Sequence, residues 1–123
     1  MSDVQHREAA AGRWGELTVA EQLGHVGSEV SRTLKWRARN ADLSRNAFFR
    51  ALELIDLMLD DPRHRASVTR LREIASTREV LVDFLDGPNQ YNSTPDALQR
   101  YFDAYAVAAR RRSGLTVTSA GPR

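Results

Sequence analysis

Apolar residues recur at spacings of three and four in four successive stretches of this chain, and capping or stop residues bound each stretch. That period belongs to amphipathic α-helices, which turn by about 100° per residue; a strand would alternate faces at every position. The pattern therefore restricts the chain to helices that each bury one stripe. Four of them with short connections predict an all-α fold, an antiparallel four-helix bundle. There is no strand pattern and no internal repeat.

The first stretch opens on a capping box, Thr18 with Glu21 three residues on, and runs to about Arg39, where Asn40 supplies a stop. Its buried stripe takes Val19, Leu23, Val30 and Leu34, with Gly27 at the centre and Gly24 and Ser31 alongside. A glycine inside a helix costs about 1 kcal/mol against alanine. Two on the inward face point to a close helix crossing, made either within one chain or across a homodimer.

The second helix spans Asp42 to Asp60 and turns Ala47, Phe48, Ala51, Leu54, Ile55 and Met58 to the core. Asp61-Pro62 then opens the third helix or forms a tight turn, and Gly87-Pro88 ends that helix after Asp86. Asn89 to Ser93 is a polar loop containing Tyr91. Thr94-Pro95 opens the fourth helix, with Ala97, Leu98, Tyr101, Ala104, Tyr105 and Ala108 inward. The domain spans 17–112. Residues 1–16 form a loose arm pinned by Trp14, and the Ser-, Thr-, Gly- and Pro-rich stretch 113–123 forms a disordered tail.

At 123 residues the chain makes one domain with a modest core. Cysteine is absent, which excludes disulfides, thiolate metal sites and thiol catalysis. A net charge of +2 gives no global electrostatic reason to bind nucleic acid. The one dense basic cluster, Arg110 to Arg112, either complements a helix C-terminus or contacts nucleic acid. No apolar run reaches the length of a signal peptide or a membrane span, so a cytoplasmic location and no membrane partner are expected. No cofactor is expected.

One residue breaks the pattern of the third helix. Over Ser67 to Asp86, Leu71, Ile74, Ala75, Leu81, Val82 and Leu85 share a face, and Arg78 falls at its centre. A guanidinium keeps its charge, and an unpaired one is costly to bury. Arg78 must therefore meet a carboxylate, other acceptors, a partner chain or a ligand. Tyr101 and Tyr105 offer hydroxyl acceptors.

Other candidate chemistry is sparse. His25 and Glu29, four apart, share a helix face with Arg32 and Trp36 and read either as two metal ligands or as an exposed pair beside an aromatic binding surface. Glu53 and Asp56 form half of the acidic pattern of all-α nucleoside triphosphate pyrophosphatases; the second pair of acids is lacking, and a solvated acidic face is the plainer reading. Neither a nucleophile elbow nor a glycine-rich phosphate loop occurs.

The segment Arg78-Glu79-Val80-Leu81-Val82-Asp83 resembles the signature helix of HEPN domains, small four- or five-helix bundles of prokaryotic defence and toxin–antitoxin systems. Their signature is an arginine, four to six residues, then a histidine, with a polar residue commonly following the arginine. Arg78 matches the arginine, Glu79 the polar residue, and Asp83 stands at the histidine position. Ser44 to Leu54 likewise resembles the second helix of those bundles. In the family the arginine and histidine pair across a dimer cleft to cut RNA, chemistry that a carboxylate at 83 does not supply. The resemblance thus implies a non-nucleolytic relative: a homodimeric interaction module that binds a protein such as a minimal nucleotidyltransferase. Arg78, Glu79, Asp83, Tyr101 and Tyr105 would form its binding site, and Gly24, Gly27, Ser31 and Trp36 its interface. The competing expectations are a metal-dependent nucleotide hydrolase, a residual ribonuclease, or a structural subunit of a larger assembly.

Overall fold

The computed structural model describes the backbone of residues 12–120 and the side chains of 12–108, so most of the expected arm and the Arg110–Arg112 side chains lie outside the described residues. All regular structure among the described residues is helical. After a helical turn at 12–14 come α1 (Val19–Trp36), α2 (Ala41–Asp60), the one-turn α3 (Pro62–Arg65), α4 (Val68–Asp86) and α5 (Pro95–Ala120).

Each start is fixed by a side chain that accepts from an otherwise unpaired amide of the first turn. The capping box forms as expected: Thr18 Oγ1 accepts from the Glu21 N–H at 3.1 Å, and Glu21 Oε1 accepts from the Thr18 N–H at 2.8 Å. Such a cap contributes about 1 kcal/mol. Asn40 serves not only as a stop: its side chain accepts from the Leu43 N–H and so begins α2. Asp61 caps α3 with Pro62 following, Ser67 caps α4, and Thr94 caps α5. The expected continuous third helix is thus two helices, because the Ser67 side chain diverts the backbone and restarts it. The α4–α5 turn places Asn89 and Asn92 in the left-handed region (φ 57° and 53°), which asparagine tolerates better than most residues. Helix α5 runs through Ala120, past the stop expected at Arg112.

Helix α1 packs on α2 and α5, and α2 packs on α4; α4 and α5 meet through side chains. Contacts between α1 and α2 fall in register. Ser44 Oγ donates to the Thr33 carbonyl at 2.8 Å, and Arg50 pairs with Glu29 at 3.2 Å, so these helices run in opposite directions. The core joins Leu23, Val26 and Val30 of α1, Ala51, Ile55 and Met58 of α2, Ile74, Leu81 and Phe84 of α4, and Leu98 and Phe102 of α5. Burying one such side chain contributes about 1.5–3 kcal/mol for the larger aliphatics and aromatics.

Two inward faces differ from expectation. On α4 the buried residues that face the core are Ile74, Thr77, Leu81 and Phe84, a stripe rotated by about a quarter turn from the one centred on Arg78; Asp83 is buried apart from it, against the turn after α4. Ala75 is exposed, while Leu71, Val82 and Leu85 are only half-buried. On α5, Leu98 and Phe102 are buried and Tyr105 half-buried, whereas Ala97, Tyr101, Ala104 and Ala108 are exposed. The cause is Gly27. A Cβ there would stand 2.6 Å from the Phe102 Cβ, so the missing side chain admits Phe102 and sets the rotation of α5.

A polar cluster sits beneath the start of α1. His64 and Gln22 are both fully buried, with His64 Nε2 and Gln22 Oε1 2.6 Å apart. The Gln22 amide nitrogen donates to the Trp14 carbonyl at 2.8 Å, which leaves Oε1 as the acceptor and assigns the imidazole proton to Nε2. This link ties the buried Trp14 to the domain, as the sequence suggests.

Candidate interaction site around Arg78

Arg78 is not at the centre of a buried face. Its side chain is 38% exposed and its Nε donates to Asp56 Oδ1 of α2 at 2.8 Å. Asp56 projects from the outer flank of α2, and the length of the arginine lets the two meet at the edge of the α2–α4 packing. With Asp56 itself 53% exposed, the pair contributes at most about 1 kcal/mol. Of the partners the sequence leaves open, a carboxylate of the same chain is the one present, supplied by a residue on the face assigned to solvent.

Arg78 borders a cleft of about 530 Å³ between α4, Leu59 and the turn after α4, lined also by Arg72, Glu79, Asp83 and Tyr91. Glu79 accepts from the Tyr91 hydroxyl at 3.2 Å, and that hydrogen bond to an anion holds the phenol above its usual pKa. Asp83 is buried, and both of its oxygens are in use. Oδ1 accepts from the Gln90 N–H at 2.8 Å and Oδ2 from the Tyr91 N–H at 3.1 Å. Its local task is to hold the turn against α4, where backbone donors would otherwise go unmet.

The two tyrosines expected beside Arg78 lie elsewhere. The Tyr101 and Thr77 hydroxyls are 2.9 Å apart, and the Tyr105 hydroxyl donates to Glu73 Oε1 at 2.8 Å. Burial, with help from hydrogen bonds to Tyr101 and Glu73, pushes the Tyr105 pKa well up. These groups face the seam between α4 and α5, where Val80, Leu81, Leu98 and Phe102 line a groove of about 390 Å³. The expected binding set is thereby divided: Arg78, Glu79 and Asp83 share one cleft, whereas Tyr101 lines the seam groove and, with Tyr105, a neighbouring recess bordered by Leu23, Glu73 and Thr77. The rotation of the α4 and α5 stripes separates them.

The expected interface residues are equally dispersed. Gly27 is buried against Phe102, and Gly24 lies near the Ala106 backbone, so α5 of the same chain takes up this surface. Ser31 is exposed, and Trp36 is half-buried with the Lys35 ammonium 5.3 Å from its ring centroid.

The candidate metal ligands have other partners. Glu29 pairs with Arg32 at 3.0 Å and with Arg50 at 3.2 Å, while the His25 ring lies 5.8 Å from that of Trp14. Asp56 is engaged by Arg78 and Glu53 is exposed. Among the described residues no three His, Cys, Asp or Glu side chains gather as a metal site, and no helix is long and apolar enough to cross a membrane. Asp56 as the partner of Arg78 was missed because an outward helix position was equated with a solvated one. Comparison of the chain with protein-family models, curated proteins and solved structures gives no match.

Proposed function

We propose that this chain is a non-catalytic helical interaction module, homodimeric and cytoplasmic, of the kind the HEPN resemblance implies. Its helices are read as an antiparallel four-helix bundle. Its binding surface is the Arg78 cleft, and its partner a protein such as a minimal nucleotidyltransferase. The observation that carries this reading is the double occupation of Asp83. The residue at the signature histidine position spends both oxygens on the Gln90 and Tyr91 amides, and so presents no free base beside Arg78. The guanidinium, held by Asp56 through Nε and partly open to the cleft, keeps its remaining donors for an acidic or carbonyl-rich protein surface.

Copurification of the tagged chain from its native host tests this reading. The expected result is a stoichiometric protein partner that is lost on Arg78→Ala while the variant stays folded. Cleavage of single-stranded RNA, or hydrolysis of nucleotides with Mg²⁺ or Mn²⁺, that disappears in the same variant would overturn the non-catalytic reading.

A further inference from the structure

We propose that the outward face of α2 is a self-complementary interface, on which two copies of this chain pair antiparallel about Phe49. The inference rests on the homodimeric reading above and assigns its surface. Arg45, Phe49 and Glu53 follow one another at intervals of four and fall on the side of α2 opposite Ala47, Ala51, Ile55 and Met58. All three are exposed. Phe49 leaves 48% of its surface open, whereas Phe48, Phe84 and Phe102 are buried. Its ring is steadied by stacking on Phe48, with centroids 5.9 Å apart. Arg45 and Glu53 have no charged or hydrogen-bonding partner among the described residues.

This order of basic, aromatic and acidic residues selects one geometry. A parallel pairing would set Arg45 against Arg45 and Glu53 against Glu53. An antiparallel two-fold centred on Phe49 instead brings Arg45 of each copy toward Glu53 of the other, both about 6 Å along the helix from the axis. The aromatic rings meet between the two ion pairs. Asp42 then faces Asp56, whose carboxylate is already neutralised by Arg78 at 2.8 Å, so it approaches an ion pair and not a bare anion. Arg78 thus lies beside the two-fold interface. Contact through a single helix face is small against a standard interface, so the dimer is expected to be weak, with a Kd on the order of 10–100 µM.

Sedimentation velocity of the full chain at low salt, over a wide range of concentration, measures this equilibrium. Arg45→Glu and Glu53→Arg should each raise the Kd by more than about tenfold, because each creates two like-charge contacts per dimer. An equimolar mixture of the two variants should associate within about threefold of the original affinity, since both cross-pairs are then restored. Phe49→Ser should also dissociate the dimer, with thermal melting unchanged in all three variants. Association that both reversals leave intact would overturn this interface and leave the dimeric reading standing. A strict monomer at every concentration would overturn both.

Discussion

Gly27 and Phe102 are in a contact that leaves no room for one carbon atom: a Cβ at 27 would stand 2.6 Å from the Cβ of Phe102. The α1–α5 distance is set here, and with it the side of α5 that faces inward. Gly27→Ala should destabilise the protein by about 1–3 kcal/mol even though alanine favours the helix by about 1 kcal/mol, because the α5 backbone must move. Phe102→Ala should cost about 3–5 kcal/mol by leaving a cavity. Urea denaturation checks both, and an unchanged midpoint for Gly27→Ala would show that the crossing is looser.

Arg78→Ala should change stability by less than about 1 kcal/mol, since the ion pair with Asp56 is open to water at both ends. Asp56→Asn should do the same. A loss of about 3–5 kcal/mol, measured the same way, is the signature of a buried pair and would contradict the exposed geometry.

Asp83→Ala should be more damaging than Arg78→Ala, although both belong to one short motif. It leaves the Gln90 and Tyr91 amides without their acceptor, at a cost of about 1–3 kcal/mol. Faster amide exchange confined to residues 87–92 would locate the effect, and normal protection there would refute it.

Acid should weaken the fold through His64 before it does so through Asp61. Burial lowers the His64 pKa below its ordinary 6.5, so the native ring stays neutral while the unfolded chain takes up a proton. Stability is therefore full above 6.5 and falls as the pH drops from there toward the lowered native value. Asp61, hydrogen-bonded by Arg63, is held at about 2 instead of 3.8, and its contribution is lost only as the pH falls from 3.8 through 2. Urea midpoints at neutral pH and at about pH 5.5 should differ in that sense. An NMR titration in which the His64 ring protonates near 6.5 would exclude the mechanism.

Apart from the restart at Ser67 and the run of α5 past Arg112, helix boundaries were legible because they are written in local chemistry. Thr18 with Glu21, Asp61-Pro62, Gly87-Pro88 and Thr94-Pro95 all mark real ends or starts. Rotation about the helix axis was not legible for α4 and α5. Thr77 counts as polar in a periodicity, yet its hydroxyl is satisfied by the Glu73 carbonyl and by Tyr101, so it is buried without penalty. Ala97, Ala104 and Ala108 count as apolar, yet alanine is small enough to sit in water, and these three pulled the inferred stripe away from Phe102. The same rotation moved Arg78 from the core to an edge and the tyrosines to the far seam. The all-helical architecture was legible, while the rotation of α4 and α5 and the grouping of the site residues depart from expectation for one geometric reason.

Helices α4 and α5 are joined by the Thr77–Tyr101 and Glu73–Tyr105 hydroxyl contacts beside a partly unfilled groove. Water can replace hydroxyl bonds at little loss, whereas nothing in water replaces the close fit of Phe102 against Gly27. The domain has, in effect, a hinge side along α1 and a clasp side along the α4–α5 seam. Breathing motions are expected to start at the clasp, while α1 holds α2 and α5 together.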